Sequence, residues 1–116
     1  MEDIFRKLLI LDLTLFTSLI IYYFIPKDEI NPILGYRTKR SMKNIQNWKF
    51  AQSYFSKKWL YSIPLMLATQ LPILLNRELP YILEISFVNF VIYTIYLIVI
   101  VEKKLKQLDE KTPNNE

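Results

Sequence analysis

The chain has no cysteine, no histidine and a single glycine among its 116 residues. Without thiols there is neither a disulfide framework nor a thiol nucleophile, and without imidazole the usual Cys/His zinc site and histidine acid–base chemistry are excluded. No nucleophile, base and orienting group stand together at a catalytic spacing, so no enzyme activity and no cofactor are expected. Glycine normally makes up about 7% of a chain. The one retained here, Gly35, points to a backbone need, either a positive φ or a close approach. It lies in Asn31-Pro32-Ile33-Leu34-Gly35-Tyr36-Arg37-Thr38, whose Asn-Pro start also favours a turn.

Charge is nearly missing from three stretches. Leu8 to Ile25 is 18 residues whose only charge is Asp12; Trp59 to Leu75 is 17 residues with none; Tyr81 to Val101 is 21 residues whose only charge is Glu84. A hydrocarbon core of ~30 Å needs about 20 helical residues, and backbone in lipid must satisfy its own hydrogen bonds. The expected fold is therefore an all-α integral membrane protein, one membrane domain with three transmembrane helices. A soluble bundle fits poorly, because Phe90 to Val101 is apolar all round instead of showing a polar face at helical period. The first run follows Arg6-Lys7 as a signal peptide would, but its end lacks a small-residue cleavage pattern and is expected to be retained.

Basic residues set the expected topology. Eight of the 15 lie between the first two runs and four in the tail from Glu102 to Glu116, with Arg6, Lys7 and Arg77 elsewhere. The positive-inside rule then puts the 26–58 loop and the C-terminus in the cytoplasm and the N-terminus outside. Tyr22, Tyr23, Trp59 and Tyr61 fall at the cytoplasmic ends of the first two runs, at headgroup level. The tail is expected to stay helical to about Leu108 and to be disordered from Lys111.

Within the loop, Thr38 or Ser41 can cap a helix, and Met42, Ile45, Trp48, Ala51 or Gln52, Phe55 and Trp59 recur at helical spacing. Lys43, Lys49 and Lys57 occupy the opposite side. This predicts an amphipathic helix lying in the interface, its lysines toward anionic headgroups; a plain connector between two spans is the alternative.

The pattern Asn31-Pro32, Gly35-Tyr36-Arg37-Thr38, Ser41-Met42, Asn44, Trp48 and Ala51 resembles the signature of the SdpI family. These are bacterial membrane proteins named for immunity to the sporulation-delaying protein toxin. Gln52 stands where that pattern usually has asparagine, and the chain has three apolar runs where the founding immunity protein has six spans. The resemblance implies protection from a membrane-active peptide toxin and, as in the founding case, relay of toxin presence to a cytoplasmic repressor. The binding residues it implies are Asn31, Pro32, Gly35, Tyr36, Arg37, Thr38, Asn44 and Trp48.

Chemically, Arg37 beside a glycine turn suits either a ligand carboxylate or phosphate, or a clamp on backbone carbonyls. Trp48 reads as an interfacial anchor and Asn44 as a partner of the turn backbone. Asp12, Gln70 and Glu84 fall at similar depth in the outer leaflet and form a candidate polar pocket for a peptide or a cation, to which Asn89 is an optional addition; the alternative for Asp12 is reaching the surface or pairing with Arg6, Lys7 or Arg77. Pro64 and Pro72 interrupt the second run. Expected partners are the lipid bilayer, a peptide toxin or a soluble cytoplasmic regulator, with self-association plausible and nucleic acid not expected. A transport or channel subunit is a third possibility.

Overall fold

The computed structural model describes residues 2–75 and 81–111. They form five helices: α1 (Glu2–Tyr23), α2 (Ile45–Trp59), α3 (Ser62–Thr69), α4 (Leu71–Leu74) and α5 (Ile82–Lys111). There is no strand among the described residues, so the described part of the chain is all-helical, as expected. Arg77 and the tail beyond Lys111 lie outside them.

Hydropathy predicts three transmembrane helices, the second interrupted by Pro64 and Pro72, and the described residues bear out one of them as a single long apolar helix. Among the described residues only α5, with 30 residues, is long and apolar enough to cross a membrane; at 1.5 Å per residue it is ~45 Å long. The first run was expected to stay helical to Ile25, but α1 ends at Tyr23. Pro26 disfavours helical backbone at the residue before it, and Phe24 and Ile25 instead close a turn onto Ile20, Ile21 and Tyr22. The second run is two pieces, α3 and α4, separated at Gln70. Each proline removes the N–H that would bond four residues back. Pro64 cannot bond Leu60, where α2 gives way to α3, and Ile63 N–H takes that carbonyl at 3.1 Å. Pro72 cannot bond Ala68, and the ladder stops within that turn.

The loop helix also differs from expectation. α2 does not lie across the ends of the other helices but runs antiparallel along the C-terminal half of α5: Asn47 meets Asp109 at one end and Trp59 meets Thr94 at the other. Its buried face is Asn47, Trp48, Ala51, Gln52, Phe55 and Ser56, leaving Ile45 exposed. The tail therefore belongs to the fold, since α5 continues to Lys111 and Leu97, Val101 and Leu105, four residues apart, pack on Tyr36, Ala51 and Phe55.

Two further clusters continue this core along the molecule: Leu19, Met66 and Phe90 with Trp59, then Leu8, Ile73 and Ile82. The result is a rod of 58 × 22 × 17 Å. Large apolar side chains remain exposed along α1 (Leu9, Leu13, Ile20), α3 (Leu65, Leu67) and α5 (Ile85, Ile92, Val99). Water would leave this surface unsatisfied; lipid matches it.

Candidate functional site

The turn begins with Asn31, whose Oδ1 accepts the backbone N–H groups of Ile33 and Leu34, both at 2.8 Å. This Asx-type turn leaves Pro32 exposed and pushes Ile33 outward, 78% exposed. Arg37 Nε donates to the Asn31 carbonyl at 3.1 Å, so part of the guanidinium fastens the turn to itself while the side chain stays exposed.

Gly35 then turns the chain inward at φ +110. A Cβ here would lie 2.8 Å from Gln52 Oε1 and 3.0 Å from Trp48 Cη2, so both the left-handed backbone and the close approach require glycine. The headgroup-level position expected for Trp48 is corrected: its side chain is fully buried beneath Gly35.

Tyr36 follows, held on three sides. Its N–H donates to Gln52 Oε1 at 2.8 Å, and its carbonyl accepts from Gln52 Nε2 at 2.7 Å. Its ring packs on Phe55, centroids 4.7 Å apart. Its hydroxyl donates to Glu102 Oε2 at 2.6 Å, and the Thr38 hydroxyl donates to the same oxygen at 2.8 Å. Burial, then the hydrogen bond and negative charge of Glu102, push the phenol of Tyr36 well above its ordinary range.

Thr38 and Ser41 do not cap α2. They bond each other, Thr38 N–H to Ser41 Oγ at 2.8 Å and Ser41 N–H to Thr38 Oγ1 at 3.1 Å. The cap is Asn44, whose Oδ1 accepts Asn47 N–H at 2.7 Å, rather than bonding the glycine turn. Asn47 Nδ2 in turn bridges the Arg40 carbonyl at 2.9 Å and Asp109 Oδ1 at 3.0 Å, and Lys43 pairs with Asp109 at 3.7 Å. The loop is thus tied to one face of α5 at Glu102 and, two turns on, at Asp109. Beside it Lys39, Arg40 and Lys43 line a cleft of about 640 Å³ with Glu102.

Gln52, Glu102, Asp109, Asn47 and Ser41 were not singled out by sequence as site residues. Gln52 carried one signal, its departure from the asparagine of the resembled pattern.

At the other end of the rod, Gln70 Nε2 donates to Asp12 Oδ1 at 2.9 Å and lies 3.3 Å from Ser86 Oγ. All three residues are buried, and a cavity of about 170 Å³ walled by Phe5, Leu9, Leu67 and Ile73 adjoins Asp12 and Gln70. Glu84 is not part of this group. Ser86 shares the buried face of α5 with Ile82 and Phe90, whereas Glu84, two residues away, is exposed beside Lys7 in a groove against α1. Lys7 itself pairs with Asp3 at 3.5 Å rather than with Asp12. Asn89, three residues after Ser86, donates to Thr69 Oγ1 at 3.3 Å, next to Gln70 along the chain.

No curated protein and no solved structure matches the chain. The SdpI/YfhL protein family matches residues 27–101. That stretch carries the whole Gly35 turn, its Gln52 clamp and the apolar length of α5, and it spans well over half of the sequence. The chain belongs to the SdpI/YfhL protein family.

Proposed function

We propose that this is a membrane protein of the SdpI immunity type, which crosses the bilayer three times and protects its host from a membrane-active peptide toxin. In this reading α1, the broken α3–α4 segment and α5 are the crossings, with the N-terminus outside and the loop and C-terminus cytoplasmic. The family match carries it. The shape supports it too, because a 58 Å rod exceeds the ~40–45 Å of a bilayer with its headgroups. The surplus is the polar end where α2 and the Gly35 turn pack on the end of α5. The interruption at Gln70 is acceptable in lipid because its backbone is rebonded locally, Gln70 N–H to the Met66 carbonyl at 3.0 Å and Ile73 N–H to the Gln70 carbonyl at 3.1 Å, while the side-chain amide faces Asp12 and Ser86 inside the bundle. The test is survival of a toxin-sensitive bacterium expressing the chain under challenge with the sporulation-delaying peptide. Rescue by the intact chain supports immunity, and no rescue at wild-type expression contradicts it. Asp12→Asn combined with Gln70→Leu reports on the polar group of Asp12, Gln70 and Ser86: unchanged rescue excludes it as the toxin contact.

A second reading has its own observation. The cleft of Lys39, Arg40 and Lys43 is cationic and open, which suits an acidic segment of a soluble regulator. Docking predicts a soluble protein that co-purifies with the chain and is lost on Lys39→Glu with Lys43→Glu, with membrane insertion intact.

A further inference from the structure

A second cationic cleft lies nearer the apolar belt, where α1 ends against α2. It has a volume of about 410 Å³ and is lined by Tyr23, Phe24, Lys27, Ser53, Ser56 and Lys57. Lys27 is folded back over the end of α1: its Nζ donates to the Tyr23 carbonyl at 3.2 Å and sits 5.8 Å from the Tyr23 ring centroid. Ser53 and Lys57 are four residues apart on α2 and exposed on one face of it. No ion pair engages Lys27 or Lys57 among the described residues. Two lysines and Ser53 therefore line this cleft without a carboxylate, unlike the Lys39 cleft, whose lining includes Glu102.

The surroundings define the ligand's shape. Directly along α1 from the cleft, Ile20 and Ile21 are about half exposed, and Phe24 at its edge is 74% exposed. A polar cationic head site thus continues into an apolar flank. Beside it the Tyr22 and Trp59 rings meet edge to face at 5.2 Å, an aromatic pair of the kind found at headgroup level.

We propose that this cleft binds the phosphodiester of an anionic phospholipid, with Lys27, Lys57 and Ser53 around the phosphate and the acyl chains lying along Ile20 and Ile21. The site rests on the membrane placement proposed above. Its role is to fix the junction of α1 and α2 at the cytoplasmic leaflet, where anionic lipid is the available ligand.

The test is reconstitution of the full chain into nanodiscs of phosphatidylcholine with or without phosphatidylglycerol, followed by native mass spectrometry of the lipids that remain bound. Phosphatidylglycerol should be retained over phosphatidylcholine. Lys27→Gln with Lys57→Gln should weaken that retention about tenfold, whereas Lys39→Gln with Lys43→Gln, which removes the same charge elsewhere, should not. Equal loss in both pairs, or no headgroup preference in the wild type, overturns the site. Displacement of the lipid by millimolar inorganic phosphate would also overturn it, by making it a free-phosphate site. Failure to enter either nanodisc overturns the membrane reading and the site with it, while insertion without preference overturns the site alone.

Discussion

Gln52 holds the backbone of Tyr36 from both sides, accepting its N–H at 2.8 Å and donating to its carbonyl at 2.7 Å. A side-chain amide here plays the part of a neighbouring strand. Both backbone groups are buried, so removing the amide leaves two unsatisfied polar groups, each costing about 1–3 kcal/mol. Gln52→Ala should lower the thermal midpoint of the purified protein, followed by circular dichroism. Gln52→Asn, one methylene shorter and the residue usual in the resembled pattern, should lie between the two, because it reaches one backbone group and not both.

Gly35→Ala should be destabilising by about 1–3 kcal/mol, from the left-handed backbone alone. The new methyl would also meet Gln52 Oε1 at 2.8 Å, so the clamp on Tyr36 loosens with it. Limited proteolysis checks this: cleavage between Lys27 and Lys43 should accelerate in the variant while α5 stays intact.

The Tyr36–Glu102 contact predicts a pH dependence at the alkaline end. Tyr36 is neutral in the folded protein well above the value near 10 at which an unfolded tyrosine ionises. Below about pH 10 both states keep the proton and the contribution to stability is complete. As pH rises past 10 the unfolded state loses its proton first, so the contribution falls. Thermal midpoints at pH 8 and pH 10.5 should differ more in the wild type than in Tyr36→Phe. An equal difference in the two would remove Tyr36 as its source.

Leu105 is fully buried against the loop, past the apolar end of α5. Leu105→Ala should cost about 2–5 kcal/mol if this end is a packed core, and almost nothing if the tail were a free extension. Denaturant titration in detergent separates the two outcomes.

How much of this was legible in the sequence follows the range of the interactions. The turn at Gly35 could be read locally, because a solitary glycine after Asn-Pro has few uses, and α5 could be read from an unbroken apolar run. In Trp59 to Leu75 the interruption itself was legible from Pro64 and Pro72, but hydropathy counts carbons and not hydrogen bonds, so the division into two short helices at Gln70 was not. Trp48 was misplaced because an aromatic residue between lysines looks the same whether it faces lipid or the underside of a glycine turn. Glu102 and Asp109 were invisible as site residues: their partners Tyr36, Thr38 and Asn47 are more than 60 residues away along the chain. Glu84 was grouped with Asp12 by depth alone, and depth says nothing about helix face.

In the proposed topology the Gly35 turn, α2 and the end of α5 form a cytoplasmic cap on a three-crossing bundle. The chain has no cysteine, so single-cysteine labelling is free of background. Lys39→Cys, in the cap, and Tyr81→Cys, at the far end of α5, are both at exposed positions. Treated with a membrane-impermeant maleimide, intact cells should label Tyr81→Cys and leave Lys39→Cys unlabelled until the membrane is permeabilised. Labelling of both positions from the same side, or of Lys39→Cys alone in intact cells, would contradict the account.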